Sequence, residues 1–356
     1  MKIALVHDWL ISSIGGAENT LAEIYDLYPS TIYTLIWNKE PFKNAEIKAS
    51  WIQKIPINRF RSFLPFFPIA IAQFDLSAYD LILSSSHCVA KGVQTNPNQI
   101  HICYCHTPMR YVWDLSEQYL KQANLNKGLK GWLARKMLAY LRNWDLAASK
   151  RVTHFIANSQ FVADRIKMAY GRQSTVIYPP VDTLFYKLHK QKENYYITCS
   201  RLVSYKKIDL IVKAFTELPN LKLIVIGDGS EMPKLLKMAT ANISFLGSIP
   251  NTQLRSYLQK AKAFVFAAIE DFGITPVEAM SCGTPVIALK KGGAEETVID
   301  HLTGLFFNEQ SSEHIREAVM HFESMQFDPR IVSEHAAQFS KERFRLQFRE
   351  FVTTKV

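Results

Sequence analysis

At 356 residues the chain is too long for one ordinary core and suits two α/β domains of about 150 residues each. Hydrophobic residues make up 48% and mean hydropathy is −0.05, a globular balance that excludes a disordered or fibrous chain. The formal charge of +10 favours anionic partners: nucleotides, phospholipid headgroups or nucleic acid.

The opening MKIALVHDWL is a short apolar run broken at His7 and Asp8. It lacks the length of a membrane span and the layout of a signal peptide, so it reads as a buried first strand over 2–6. Gly15-Gly16-Ala17-Glu18 then forms a glycine turn before a helical pattern at Leu21, Ile24, Tyr25, Leu27 and Tyr28. Short apolar runs at 31–36, 81–84, 100–104 and 154–157 have the length of strands buried on both faces. Helical stretches between them predict an alternating, mostly parallel sheet. The five cysteines are an odd number without framework spacing, which implies reduced thiols in a cytoplasmic compartment.

Tyr178-Pro179-Pro180-Val181-Asp182 breaks both helix and strand, and the polar stretch 187–194 follows, so the domain boundary is placed there. The second half repeats the alternation, with strands over 195–199, 221–226, 243–246, 263–267 and 285–289 and helices over 208–218, 232–238, 252–260 and 276–281. The fold class is therefore α/β: two doubly wound domains, 1–180 and 181–337, with a basic amphipathic helix over 338–356 crossing back to the first.

The richest segment is Glu270-Asp271-Phe272-Gly273-Ile274-Thr275-Pro276-Val277-Glu278-Ala279-Met280. A strand ends just before Glu270, Gly273 permits a tight turn, and Pro276 suits a first helical turn because its missing N–H would be unpaired there. The amides around Phe272 to Thr275 face the crevice above the sheet, where a helix N-terminus attracts phosphate. Glu278, on that first turn, is within reach of ribose hydroxyls. The plain alternative is that both glutamates only complement the helix dipole.

With Cys282-Gly283-Thr284-Pro285-Val286-Ile287 and Gly292-Gly293 after it, this segment resembles the Glu-x7-Glu signature of the family-four retaining glycosyltransferases. The resemblance implies a GT-B fold of two facing Rossmann-like domains with the active site in the cleft between them. It makes Glu278 the ribose ligand, Glu270 a contact to the donor sugar, and Gly273, Ile274 and Thr275 backbone donors to sugar or diphosphate. Ser200-Arg201-Leu202-Val203-Ser204-Tyr205-Lys206-Lys207 resembles the Gly-Arg-Leu-x-x-x-Lys-Gly loop of the same family. A departing nucleoside diphosphate develops negative charge, so Arg201 and Lys206 are its expected clamp. Ser200 and Lys207 stand where glycines are frequent, which leaves open whether Lys206 or Lys207 points inward; a solvated basic loop is the alternative.

Gly15 and Gly16 resemble the family's first-domain glycine loop, which approaches the donor phosphate, although such a pair is more often a simple turn. Cys105-His106-Thr107-Pro108-Met109-Arg110-Tyr111-Val112-Trp113-Asp114 ends a strand, and the resemblance implies that His106 contacts the donor sugar where an ordinary histidine would be structural. The same run is most similar to bacterial mannosyltransferases of O-antigen and exopolysaccharide assembly, which implies GDP-mannose as donor, with UDP-sugars as the alternative.

His101, Cys103, Cys105 and His106 invite a zinc reading, but no second cysteine pair has the matching spacing. No Asp-x-Asp pair occurs either, so neither a metal nor another cofactor is expected. Ile226-Gly227-Asp228-Gly229-Ser230 lacks the third glycine of a dinucleotide turn. Trp51, Phe60, Phe63, Phe66 and Phe67 mix with Arg59 and Arg61, and Lys121, Lys127, Lys130, Arg135, Lys136, Arg142, Lys150 and Arg151 add charge. That composition suits an anionic membrane surface carrying a lipid-linked saccharide acceptor, on the inner face of the bacterial plasma membrane. The alternative places the aromatics in the core and the charges on a solvated face. Nucleic acid is not an expected partner, because no binding motif accompanies the charge. A non-catalytic sugar- or nucleotide-binding protein and a GT-B epimerase or phosphorylase are the competing readings of the whole.

Overall fold

The computed structural model describes residues 1–11, 15–38, 42, 44–114, 116–117, 120, 125 and 127–356. The chain forms two compact units, Met1–Tyr178 with Phe344–Val356, and Pro179–Arg343.

Among the described residues the first unit has seven strands: β1 (Ile3–His7), β2 (Ile32–Thr34), β3 (Ile47–Ala49), β4 (Leu81–Ser86), β5 (Ile100–Cys105), β6 (His154–Ala157) and β7 (Ser174–Val176). They pair in parallel in the order β3-β2-β1-β4-β5-β6-β7. Parallel pairing requires crossovers that cover both faces, and this is why β1, β4 and β5 are almost continuously buried, even where β4 ends in three serines. One face carries Leu5, Leu83, Ile102 and Tyr104 under the helices Gly16–Leu27 and Lys341–Lys355. The terminal helix contributes Phe344, whose ring lies 5.8 Å from that of Tyr104, and Phe348. Its Arg345 reaches Glu23 at 2.5 Å and Asp26 at 3.0 Å on the first helix.

The second unit has six parallel strands: β8 (Tyr196–Cys199), β9 (Leu223–Ile226), β10 (Ile243–Gly247), β11 (Ala263–Phe266), β12 (Val286–Leu289) and β13 (Gly304–Phe307), ordered β10-β9-β8-β11-β12-β13. Its core joins Tyr196, Val225, Val265 and Ile287 to Phe215 and Phe322 of the covering helices. In each sheet the strand order reverses beside the first strand of the unit, between β1 and β4 and between β8 and β11. A crevice opens there at the carboxyl ends of the strands, the usual ligand position in doubly wound sheets.

Two expectations change in detail. The helix expected over 276–281 is Ile274–Ser281, because Gly273 caps it with φ 88° and lets the chain turn directly into it. Pro276 is then its third residue, still among the amides that need no helical partner, and Glu278 falls two residues further in than expected. The aromatic segment is also divided: Phe60 and Phe67 are buried and stacked at 5.9 Å, Phe63 is half-buried, and only Trp51 and Phe66 are exposed.

Candidate active site

In the second unit the loop after β8 makes one 3-10 turn at Ser204–Lys206 and passes through Lys207 at φ 57° into the helix Ile208–Thr216. The left-handed geometry explains why glycine suits position 207. The turn sends the Lys206 ammonium to the Glu270 carboxylate, with which it forms an ion pair. Arg201 is exposed, and its Nη2 donates to the Tyr205 hydroxyl at 2.9 Å.

Glu270 lies four residues past β11 rather than at its end, in a loop backed by two glycines. The Gly293 amide donates to the Glu270 carbonyl at 2.9 Å, and a Cβ on Gly293 would fall 2.3 Å from the Phe272 Cα. The Gly227-Asp228-Gly229 turn does the same for the basic loop. A Cβ on Gly227 would meet the Ser200 carbonyl oxygen at 1.8 Å, while the Leu202 amide donates to the Asp228 carbonyl at 2.9 Å. These glycines hold the Arg201 loop against the sheet, so the dinucleotide-like turn has a packing role.

Glu278 sits in the helix whose first amides, at Ile274 and Thr275, point out of the N-terminus past Gly273. Burial pushes its carboxyl up to about 7, against a hydrogen bond from the Tyr186 hydroxyl and with the nearby charge of Asp182 adding to the rise. Cys199 ends β8 between the two charged positions, within the fields of both Glu278 and Lys206; burial and Glu278 push its thiol up to about 12. Lys206, Glu270 and Glu278 thus gather at the carboxyl ends of β8 and β11. Tyr186 and Tyr205 join them, and no sequence signal marked either.

In the first unit His7 ends β1, Ser85 lies near the end of β4 and His106 follows β5. His106 Nε2 lies 2.8 Å from Ser85 Oγ, and His7 Nδ1 lies 3.0 Å from the Ser85 carbonyl oxygen and 3.2 Å from its hydroxyl. Burial holds both imidazoles below their ordinary range, so both are neutral near pH 7. Asp8 accepts four backbone N–H bonds, from His87 at 2.6 Å, Cys88 at 2.9 Å, Val89 at 2.5 Å and Ala90 at 2.7 Å. Burial pushes its carboxyl up, but His87, His7 and those amides outweigh it and hold it below the usual carboxylate range. The aspartate therefore fixes the loop that carries His87 beside His106, with ring centroids 6.4 Å apart.

Gly16 opens the helix Gly16–Leu27, and the Gly15 amide donates to Glu18 Oε2 at 3.0 Å, so the glycine loop is closed by its own glutamate. Beyond His106, Arg165 donates to Thr107 Oγ1 at 2.6 Å and pairs with Asp114, fixing the following loop. His101, Cys103 and Cys105 share one face of β5, and His101 Nε2 is held by Ser84 Oγ at 2.8 Å. His106 leans on Tyr104, on the other face, at 5.1 Å between centroids, which separates it from the cysteine pair. Among the described residues, no three His, Cys, Asp or Glu side chains gather as a metal site.

Two family models divide the chain: "Glycosyltransferase Family 4" matches residues 14–184, and "Glycosyl transferases group 1" matches residues 182–343. The chain belongs to the family-four glycosyltransferases. Anabaena HepE, solved with UDP and glucose, shares its fold with a TM-score of 0.71 over 99% of both chains at 22% identity. A GDP-mannose-dependent alpha-(1-6)-phosphatidylinositol monomannoside mannosyltransferase of Mycolicibacterium smegmatis is 31% identical over 140 residues, 35% of this chain and 37% of that one. An uncharacterized glycosyltransferase of Methanocaldococcus jannaschii is 28% identical over 155 residues, 40% of each chain. The chain spans between 37% and 54% of the length of the first curated relatives it matches.

Proposed function

We propose that this glycosyltransferase moves a hexose, with retention, from a nucleotide diphosphate onto a lipid-linked saccharide or glycolipid in bacterial surface polysaccharide synthesis, with GDP-mannose as donor. The observation that carries the reading is the Lys206–Glu270 ion pair beside Glu278 and an open helix N-terminus. It supports the reading because a cation able to stabilise a leaving diphosphate lies next to a carboxylate able to bind a sugar hydroxyl. Glu278 anchors the ribose, Glu270 and His106 orient the sugar, and Gly15, Gly16, Gly273, Ile274 and Thr275 supply backbone to the diphosphate. The acceptor hydroxyl attacks the anomeric carbon on the face that the diphosphate leaves. A leaving phosphate oxygen takes its proton, while Arg201 and Lys206 neutralise the charge that develops. No metal and no protein nucleophile enters this scheme.

A panel of GDP- and UDP-sugars, assayed for nucleoside diphosphate release with and without a lipid-linked acceptor, tests it. Acceptor-dependent release of GDP from GDP-mannose supports the full reading. Acceptor-dependent UDP release keeps the reaction class and replaces the donor, and no release with any sugar overturns it.

The membrane side of the proposal rests on the helix Gly128–Ser149. Leu129, Trp132, Leu133, Met137 and Tyr140 are exposed along it at helical spacing, and Lys136 lies over the Trp132 ring at 5.7 Å. Its single acid, Asp145, is buried in an ion pair with Lys91, which leaves the outer surface apolar and basic. Lys127, Lys130 and Lys150 extend that charge, whereas Arg142 and Arg151 donate to the carbonyls of Val112 and Gly92, and Lys121 lies outside the described residues. No helix among the described residues is long and apolar enough to cross a membrane. Peripheral docking on the inner leaflet is the proposed localisation. Flotation with vesicles containing phosphatidylglycerol, lost in Trp132→Ala/Leu133→Ala, is the expected result; binding to neither neutral nor anionic vesicles overturns it.

A further inference from the structure

At the carboxyl edge of the first sheet, three side chains on neighbouring strands form one hydrogen-bonded chain. His7 Nδ1 lies 3.0 Å from the Ser85 carbonyl oxygen, which can only accept, so this nitrogen carries the proton. The same N–H points at Ser85 Oγ, 3.2 Å away, and engages the lone-pair side of that hydroxyl. The Ser85 hydrogen is left for His106 Nε2 at 2.8 Å. His106 Nε2 then accepts, which puts the ring proton on Nδ1. At the far end, His7 Nε2 is a lone pair that is buried and has no hydrogen-bond partner.

We infer that His7 and Ser85 are positioning residues that fix His106 as the Nδ1–H tautomer and so turn a donor, not an acceptor, toward the ligand. The inference rests on the reading that His106 contacts the transferred sugar; hydroxyl oxygens of a hexose are the chemistry such a donor suits. The register makes the arrangement specific. His7 pairs directly with Ser85 across β1 and β4, so the three groups align only in this strand order. The supports around the row are rigid as well, since Asp8 holds the next loop through four backbone amides. Asp8, His87 and Glu18 are the charged or titratable groups acting on His7, and the two histidines with Asp8 act on His106. The Ser85 carbonyl fixes the direction of the chain: protons point from His7 through Ser85 to His106.

Long-range nitrogen–proton correlation spectra of the full chain labelled in histidine, with His106 assigned by the loss of its signals in His106→Gln, read the tautomer directly. The parent and Ser85→Thr are expected to show the Nδ1–H form, and Ser85→Ala to lose that preference. A parent spectrum showing Nε2–H, or a Ser85→Ala spectrum identical to the parent, overturns the inference whatever the enzyme transfers. In the sugar-transfer assay, Ser85→Ala should raise the donor KM roughly fivefold with little change in kcat, the effect of one weakened hydrogen bond, and Ser85→Thr should restore it. An Nδ1–H tautomer together with an unchanged donor KM in His106→Gln would instead remove His106 from the sugar site while leaving the tautomer assignment standing.

Discussion

Lys206 and Glu270 lie 64 positions apart in the chain and meet as an ion pair at the carboxyl edge of the second sheet. Both side chains still reach water, at 14% and 22% exposed, so either charge can be solvated when its partner is removed. In the proposed function the pair holds ready a cation that a diphosphate can draw away from Glu270. Lys206→Ala is therefore expected to shift the unfolding free energy by less than about 1 kcal/mol while lowering kcat on the order of a hundredfold. Thermal unfolding and steady-state kinetics on the same preparation check both halves. Parent-like turnover in this variant would remove Lys206 from the clamp.

Arg201 and Glu278 should fail differently. The Arg201 guanidinium donates to the Tyr205 hydroxyl and is proposed to act on the leaving group, so Arg201→Ala should mainly depress kcat. Glu278→Ala removes the proposed ribose anchor, which would serve ground state and transition state alike, so it should mainly raise the donor KM.

Glu278 also predicts a pH dependence. A carboxyl raised to about 7 by burial is protonated below that pH, and a protonated carboxyl offers the ribose hydroxyls a weaker acceptor. Donor affinity is expected to rise with pH from about 6 to 8 and then level, and to be flat over that range in Glu278→Gln. The stability linkage has the opposite sense. The folded protein holds this proton more tightly than the unfolded chain, so the contribution is full below the unfolded value of 4.5 and is lost as pH rises through about 7. Calorimetric donor titrations across the range check the first statement, and urea midpoints of parent and Glu278→Gln check the second.

Lys207 is one of three residues other than glycine with positive φ among those described, at 57°. A lysine pays a modest cost there, whereas a β-branched side chain clashes. Lys207→Gly should therefore unfold within about 0.5 kcal/mol of the parent, because relief of strain offsets added freedom in the unfolded chain, and Lys207→Val should lose about 1–2 kcal/mol. Equal midpoints for the two variants would contradict the left-handed assignment.

The central strands were legible because both of their faces are buried, which leaves unbroken apolar runs such as β11 and β12. The edges were not. β3 (Ile47–Ala49) and β7 (Ser174–Val176) are three residues long and half-exposed, and β13 (Gly304–Phe307) is a four-residue run, too short to stand out. Edge strands need no apolar pattern, because one side has no neighbour to bury it. In the site, Glu270, Glu278, Lys206 and His106 carried motif signals. Tyr186, Ser85 and Asp8 did not, since each acts only through a partner that the fold brings to it: Tyr186 on Glu278, Ser85 on His106, and Asp8 on amides about 80 positions away. The aromatic segment misled for a related reason. Periodicity does not tell Phe60, which is buried, from Phe66, which is not, in a run of irregular short turns.

The buried pair Lys91–Asp145 offers a separate test of how the first unit supports its site. Lys91 Nζ lies 2.6 Å from Asp145 and donates to the Cys88 carbonyl at 2.7 Å, while Tyr170 and Trp113 donate to the other Asp145 oxygen at 2.7 and 2.8 Å. Both side chains are fully buried, so removing one charge strands the other in a medium that cannot solvate it. Lys91→Met is expected to cost about 3–5 kcal/mol, and Lys91→Met/Asp145→Asn to cost less than the single change despite removing more of the network. Urea unfolding of the four proteins in the cycle measures this, and a double variant less stable than Lys91→Met would show that packing rather than charge balance dominates. The pair also reaches the site. The Cys88 carbonyl that Lys91 holds belongs to the loop whose amides close on Asp8, so Lys91→Met should loosen His87 and speed amide exchange at residues 87–90 ahead of global unfolding.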